Sequence, residues 1–357
     1  MLPPFPHPPP PPRRELRVSI VITNRDYAGY LPAALASALG QHDADVEVIV
    51  VDDGSTDGSR EIIERHRDRV RAVLLDGRGQ KAAFNAGFGE VSGDVVMFLD
   101  ADDELAPGTA AAVADAFARN PAAARVVFRL EVVDEHDQPT GARVPSAAVA
   151  LAAGDVRRAV LAFPDDLGWP PTSGNAFATW ALRRVMPIPV DDERTGADSW
   201  LHPLVPLLGP VVALDGIHGA YRVHGDNAHA GGGIDVDRSR LILRRARGSH
   251  ARIAELAGEL GLGPARPRSV TIAAHRLLSL RLGGDGHPVA GDSRRRALGA
   301  GLRAALSRFD VSPAQRIAYA AWFVLVALAP ERVVRALGET FLQPLRPSRF
   351  ARAVGGS

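Results

Sequence analysis

In "VMFLDADDEL", Val96 to Leu105, four apolar residues run directly into Asp100, Asp102, Asp103 and Glu104. Carboxylates this close repel and raise one another's pKa values unless something positive joins them. Asp100 and Asp102, with Ala101 between them, can both reach a divalent cation, and a cation shared with two phosphates would relieve the repulsion. Asp103 and Glu104 are expected in the turn and helix start behind the pair. A second apolar run, "VIVVDDGSTDGS", ends in Asp52 and Asp53. A carboxylate there can accept hydrogen bonds from a nucleobase imide or a ribose hydroxyl. Gly54 lets the chain turn, and Ser55, Thr56 and Asp57 are cap residues for a helix. Thr23 and Asn24 in "TNRDYAGYL" offer further polar contacts. Lys81, the single lysine of the chain, can neutralise phosphate, and Asn85 and Gly87 would let its helix approach a sheet closely.

These residues need elements to hold them. "RVSIVIT" is a continuous β-branched run, as expected of a strand covered on both faces. Helical spacing follows in "YLPAALASAL". Strand and helix then alternate through "VEVIVVDD", "STDGSREIIERH", "VRAVLL", "QKAAFNAGFGE", "GDVVMFLD", "PGTAAAVADAFARN" and "ARVVFRLEVVD". This rhythm predicts an α/β fold with a mostly parallel sheet flanked by helices. Ligands of such sheets bind beyond the carboxyl ends of the strands, so both acidic clusters are expected on one rim. After Pro145 the alternation loosens: "GDVRRAVLAF" and "ATWALRRV" read as helices, "PDDLGWPPTSGNAF" as a loop, and "GIHGAYRVHGDN" as a strand entering a polar turn. From Asp235 onward the text is Arg- and Ala-rich helix. The expected division is a Pro-rich leader over 1–15, an α/β domain over 16–230 and a C-terminal helical extension over 231–357.

Composition removes several classes of function. A net charge of +1, and the lack of a basic face or binding motif in the first two thirds of the chain, argue against a nucleic-acid partner. There are no cysteines, which excludes disulfides and thiolate metal sites and leaves carboxylate, carbonyl and imidazole ligands, suited to Mg²⁺ or Mn²⁺. The leader "MLPPFPHPPPPPRR" lacks the apolar core of a signal peptide. "IAYAAWFVLVALA" is shorter than the roughly 18–20 apolar residues that a span needs. A cytoplasmic protein is expected, with a peripheral contact to the inner face of a membrane as an option.

The ordered blocks "VSIVITNRDY", "VIVVDDGSTDGS", "GQKAAFNAGF" and "GDVVMFLDADD" resemble the nucleotide-binding half of family 2 glycosyltransferases, which adopt the GT-A fold. The resemblance covers Arg17 to Asp103 with every block in order. It implies inverting sugar transfer from a nucleotide-diphosphate sugar, with a UDP-sugar the expected donor, and a Mg²⁺ or Mn²⁺ ion between the diphosphate and the Asp-x-Asp pair. Carried over by position, Thr23 and Asp53 match residues that contact the base, Asp100 the acid near ribose and donor sugar, and Asp102 the metal ligand. Asn24, Asp26, Lys81 and Ala101 stand beside them as donor-site residues. In the second half, "TGADSWLHPLVPLLG" resembles the segment carrying the general base, which places that role on Asp198. The family's preceding Glu is here Ala197. "YRVHGDN" places His224 where a histidine completes the metal shell or meets phosphate, and "TSGNAF" places Gly174 and Asn175 in the site lining. The acceptor that the resemblance implies is a glycan or a lipid-linked sugar, in polysaccharide, glycolipid or envelope synthesis. A catalytically inactive nucleotide-binding scaffold is the alternative. A sugar-nucleotide-forming nucleotidyltransferase would want a Gly- and Arg-rich phosphate loop after the first strand, and "TNRDYAGY" is not one.

The C-terminal arginines of "RRARGSHAR" and "RRRALGAGLRAALSR" read either as a solvated face or as a surface for anionic lipid head groups. "WFVLVALA" with "RALGETFLQPLRPSRFAR" fits an interfacial helix with a basic flank, and equally a buried core helix.

Overall fold

A strand covered on both faces needs consecutive apolar residues, and β1 (Arg17–Asn24) buries Val18 through Ile22 without a break. The computed structural model describes residues 2–6, 15–190, 195–225, 236–283 and 286–342. The chain divides into two compact units, Met1–Arg157 with Gly168–His224, and Arg158–Leu167 with Gly225–Ser357.

In the first unit β1 is followed by α1 (Leu31–Leu39), β2 (Asp45–Asp53), α2 (Ser59–Arg65), β3 (Arg71–Leu75), α3 (Gln80–Gly89) and β4 (Val95–Asp100). Then come β5 (Glu104–Leu105), α4 (Thr109–Arg119), β6 (Arg125–Val133), β7 (Pro139–Val144), β8 (Asn175–Ala178), α6 (Thr179–Val185), α7 (Asp198–Leu204) and β9 (Val211–Arg222), while α5 (Arg157–Ala162), between β7 and β8 in the chain, belongs from Arg158 on to the second unit. Among the described residues these nine strands form one sheet in the order β3-β2-β1-β4-β8-β6-β9-β5, with β7 beside β6. The first four run parallel. Strand β8 is antiparallel to both β4 and β6, and β6 is parallel to β9. The sheet is therefore parallel where the acidic clusters lie and mixed beyond.

Helix α3 lies close on this sheet for a reason visible in one residue. A Cβ on Gly87 would stand 2.4 Å from Val21 Cγ1 and 3.0 Å from Val51 Cγ2, so only glycine allows the approach. Three residues earlier, Phe84 stacks on Phe98 of β4 with ring centroids 4.2 Å apart. Asn85 exchanges two hydrogen bonds with the backbone of Ile188, at 2.8 and 2.7 Å.

Two local expectations are corrected here. The stretch read as a loop, "PDDLGWPPTSGNAF", contains a 3-10 turn at Thr172–Gly174 and the strand β8. A four-residue strand carries too little periodicity to be read locally, and pairing with β4 and β6 creates it. Glu104 does not start a helix either, but pairs with Ala220 in the short β5–β9 ladder.

The second unit holds α8 (Val236–Glu259), α9 (Val270–Leu282), α10 (Arg294–Ser307), α11 (Pro313–Leu328) and α12 (Glu331–Leu342). Its core gathers Leu277 and Leu278 with Ala304, Phe323, Val326 and Val334. Phe323 fits against Gly301, where a Cβ would lie 2.3 Å from the ring. Asp166 caps α9, accepting from the amides of Val270 and Thr271 at 2.7 and 2.9 Å and pairing with Arg308 at 3.1 Å. Among the described residues no helix is long and apolar enough to cross a membrane.

Candidate active site

The parallel register brings the polar ends of three strands side by side. Thr23 of β1 is paired with Asp100 of β4, and Asn24 with Asp52 of β2. Asn24 is buried; its Nδ2 donates to Asp52 Oδ2 at 2.9 Å and Ser55 Oγ at 3.1 Å. Its Oδ1 is buried with no hydrogen-bond partner among the described residues, an exception to the rule that buried polar atoms are paired. Burial pushes the Asp52 carboxyl up, but hydrogen bonds from Ser55, Arg60 and Asn24 outweigh it and hold the group below the usual carboxylate range.

Asp53, also buried, turns toward the next loop. It accepts from the amides of Arg78 at 2.6 Å and Gly79 at 2.8 Å, which fixes the start of α3 and so the position of Lys81 in its first turn. Lys81 is itself buried. Asp26 adopts a left-handed backbone, φ 55°, and accepts from the amide and hydroxyl of Thr56 at 2.7 and 3.2 Å. It laces the loop after β1 to the loop after β2. The expected helix caps work in this lacing too. Gly58 is the N-cap of α2 without a side-chain bond, while Asp57 accepts from the amides of Ala28 at 2.7 Å and Ser59 at 3.1 Å.

The Asp-x-Asp turn is dense in charge. Burial, reinforced by the charges of Asp102 and Asp198, pushes the Asp100 carboxyl up to about 8 against the opposing hydroxyls of Thr172 and Thr23. Burial, with the neighbouring charges of Asp102 and Asp100, also drives Asp103 well above its ordinary value. Asp103 accepts from Ser173 Oγ at 2.6 Å and from the amide of Arg222 at 3.0 Å. Part of the missing positive charge comes from the end of β9. Arg222 is buried, donates Nε to the carbonyl of Asp102 at 3.0 Å, and pairs with Glu104 at 2.6 Å and with Asp137. His224 follows, its Nε2 3.1 Å from Asp102 Oδ2. The rings of Tyr30 and Tyr27 pack on it at 4.6 and 5.6 Å.

From the other side α7 begins at Asp198, whose Oδ1 accepts the amide of Ser199 at 2.7 Å and whose charge acts on Asp100. Ala197 is buried, and its amide lies 3.3 Å from Gln80 Oε1. Gly174 has no room for a side chain, since a Cβ would meet Pro170 Cβ at 2.6 Å and the carbonyl of Phe128 at 2.9 Å. Asn175 is fully buried, and its amide is taken up by Arg125 Nε at 3.0 Å and the carbonyl of Pro171 at 2.6 Å. These two shape the wall and hold Thr172 and Ser173 against Asp100 and Asp103.

Residues 19–185 match the family model described as glycosyl transferase family 2. An uncharacterized glycosyltransferase of Nostoc sp. is 34% identical over 218 residues, which span 60% of this chain and 67% of that protein. The chain belongs to glycosyltransferase family 2.

An undecaprenyl-phosphate 4-deoxy-4-formamido-L-arabinose transferase of Pseudomonas syringae is 41% identical over 98 residues, 25% of this glycosyltransferase and 29% of that relative's length. The crystal structure of S. aureus TarS 1-349 in complex with UDP-GlcNAc superposes with a TM-score of 0.52 at 15% identity, covering 92% of both chains. At that identity the likeness establishes the fold, which is GT-A. The family model ends at residue 185, so Asp198 and His224 lie beyond it and their placement rests on this structure's own geometry.

That geometry also bears on metal. Asp102 and His224 place a carboxylate oxygen and an imidazole nitrogen 3.1 Å apart, of which the carboxylate is the donor type that suits Mg²⁺ or Mn²⁺. Among the described residues no three such groups form a closed cluster. An open pair fits an ion that takes its remaining ligands from water and substrate phosphates.

Residues at this site that the sequence did not announce are Arg222 and the two tyrosines, whereas Thr172 and Ser173 fall within the stretch "TSGNAF" expected in the lining. Only Arg222 left a trace, as a charged residue inside an otherwise strand-like run.

Proposed function

We propose that this glycosyltransferase moves a sugar from a UDP-sugar to an acceptor hydroxyl with inversion, at the rim formed by β1, β2 and β4. The observation that carries the reading is the convergence of Asp100 and Asp102, from the turn after β4, with Asp198 at the start of α7, where burial and the charges of Asp102 and Asp198 raise the Asp100 pKa to about 8. Such crowding of carboxylates is the mark of a site that expects a cation or a proton in transit. UDP-GlcNAc bound to the S. aureus structure supports the choice of donor.

In this reading Thr23, Asn24 and the loop anchored by Asp53 receive the nucleoside. Asn24 Oδ1 supplies an acceptor for a donor N–H. Lys81 faces diphosphate charge. Asp102 and His224 would hold Mg²⁺ or Mn²⁺, which supplies Lewis-acid neutralisation of the leaving diphosphate when bound. Asp198 takes the proton from the attacking hydroxyl as a general base. Attack on the face opposite the departing diphosphate inverts the anomeric carbon. A glycan or lipid-linked acceptor in the cell envelope is supported by the undecaprenyl-phosphate transferase relative, and membrane contact through the C-terminal helices belongs to the same reading.

The test is UDP release from UDP-GlcNAc with Mn²⁺ and a mixture of envelope-type acceptors. Asp198→Asn is expected to lower turnover by about 10²–10⁴ while leaving UDP affinity unchanged. Turnover at the unsubstituted rate would remove Asp198 from the mechanism. Tight UDP binding with no turnover in either protein would identify the scaffold instead.

A further inference from the structure

Helix α11 is apolar on the side that faces water. After Gln315 every exposed position of this helix is Ile, Ala, Val or Leu. Ile317, Val324, Leu325 and Leu328 remain 67%, 39%, 52% and 78% exposed. With Ala321 they recur at the spacing that lines up one face of a helix. The opposite face is apolar too, with Phe323 and Val326 buried in the core of the unit. A surface helix ordinarily turns charged or polar residues outward; this one does not. Nor is it an isolated case of scattered exposure. Seven of the twelve large apolar side chains exposed among the described residues lie between Leu306 and Val333, and a concentration of this kind marks an interaction surface.

Length and charge identify the occupant. The helix has 16 residues, about 24 Å at the α-helical rise, and falls short of the roughly 30 Å hydrocarbon thickness. It is suited to lie in the plane of an interface. From Arg294 to Leu342 the chain carries eight arginines against three acids. A second copy would bring the same positive charge against itself, whereas an anionic head-group layer attracts it. We propose that the exposed face of α11 docks the protein on a bilayer containing anionic phospholipid, with Ile317, Val324, Leu325 and Leu328 entering the acyl boundary. The inference deepens the membrane-contact part of the proposed function and uses none of the donor-site chemistry.

The full chain is tested by flotation with vesicles of phosphatidylcholine alone and of phosphatidylcholine with phosphatidylglycerol. The expected result is binding to the anionic vesicles, weakened by about tenfold or more in the Leu325→Ser/Leu328→Ser double variant and on neutral vesicles. Both positions are exposed, and an unchanged melting temperature verifies that the variant is folded. The thermal shift produced by UDP, measured on the same variant, is expected to match the parent, which separates failure of this face from failure of the donor reading. Absence of flotation with anionic vesicles, or equal flotation of parent and variant, overturns the proposal. So does light scattering that finds a dimer dispersed by the same two substitutions.

Discussion

Arg222→Met removes a side chain that ties the acidic turn to β9 while keeping most of its volume. In the parent, Arg222 is almost wholly buried and meets the Asp102 carbonyl at 3.0 Å, Glu104 at 2.6 Å and Asp137. Breaking a fully buried ion pair by deleting one partner costs about 3–5 kcal/mol. The acids left behind are not fully buried: Glu104 and Asp137 are 32% and 62% exposed and can rehydrate. That discounts the ionic part to roughly 2 kcal/mol, and the orphaned Asp102 carbonyl adds about 1 kcal/mol. The expected loss is about 3 kcal/mol, or a fall in Tm on the order of 6–12 °C for a unit of this size. Differential scanning calorimetry reads it directly. Arg222→Lys keeps the charge but not the fork of donors, and is expected to fall between the two. Because the Asp102 carbonyl is anchored on the Arg222 guanidinium, whereas Asp103 keeps its bond to the main-chain amide at 222, Mn²⁺-dependent UDP binding is expected to weaken alongside. A Tm within about 2 °C of the parent, with UDP binding intact, would refute the claim that Arg222 organises the turn.

Two further outcomes follow from other parts of the chain. Gly87→Ala gains about 1 kcal/mol of helix propensity, yet its Cβ would stand 2.4 Å from Val21 Cγ1. That neighbour is stiff at χ1, and overpacking costs about 1–3 kcal/mol, so the urea midpoint is expected to fall; a rise would mean that α3 can back away. His275 in α9 is held down to about 4 by burial and by the charge of Arg238. The unfolded chain then binds more protons between that value and about 6.5, so stability rises with pH across the window, by up to roughly 3 kcal/mol. His275→Gln should flatten the rise in denaturant titrations near pH 4.5 and pH 7, and an unaltered slope would assign it to other groups.

Much of this was readable before the structure, for local reasons. Continuous runs such as "RVSIVIT" and "GDVVMFLD" permit little besides buried strands, and parallel strands must end on a common rim, so Asp53, Asp100 and Asp102 were placed together by pattern. Gly87 was legible because a glycine within a helix lets that helix approach a sheet closely, and the structure supplies the neighbours, Val21 and Val51. What escaped was closed by distant pairing. Arg222 meets Glu104 across 118 positions, and a charged residue ending a strand reads equally well as solvent-facing. Strand β8 escaped since its four residues follow Pro170 and Pro171 and pair only with β4 and β6. Asp26 shows the same limit from the other side: expected at the donor, its carboxylate binds Thr56 and joins two loops. Periodicity alone also could not separate a core helix from an interfacial one at α11, because both of its faces are apolar.

The measurement closest to the central claim is calorimetric titration of UDP into the parent and into Asp102→Asn, each with and without Mn²⁺. The account predicts that Mn²⁺ strengthens UDP binding to the parent by about tenfold or more, and that Asp102→Asn loses this increment while keeping metal-free binding. Equal UDP affinity with and without Mn²⁺ in both proteins would contradict it.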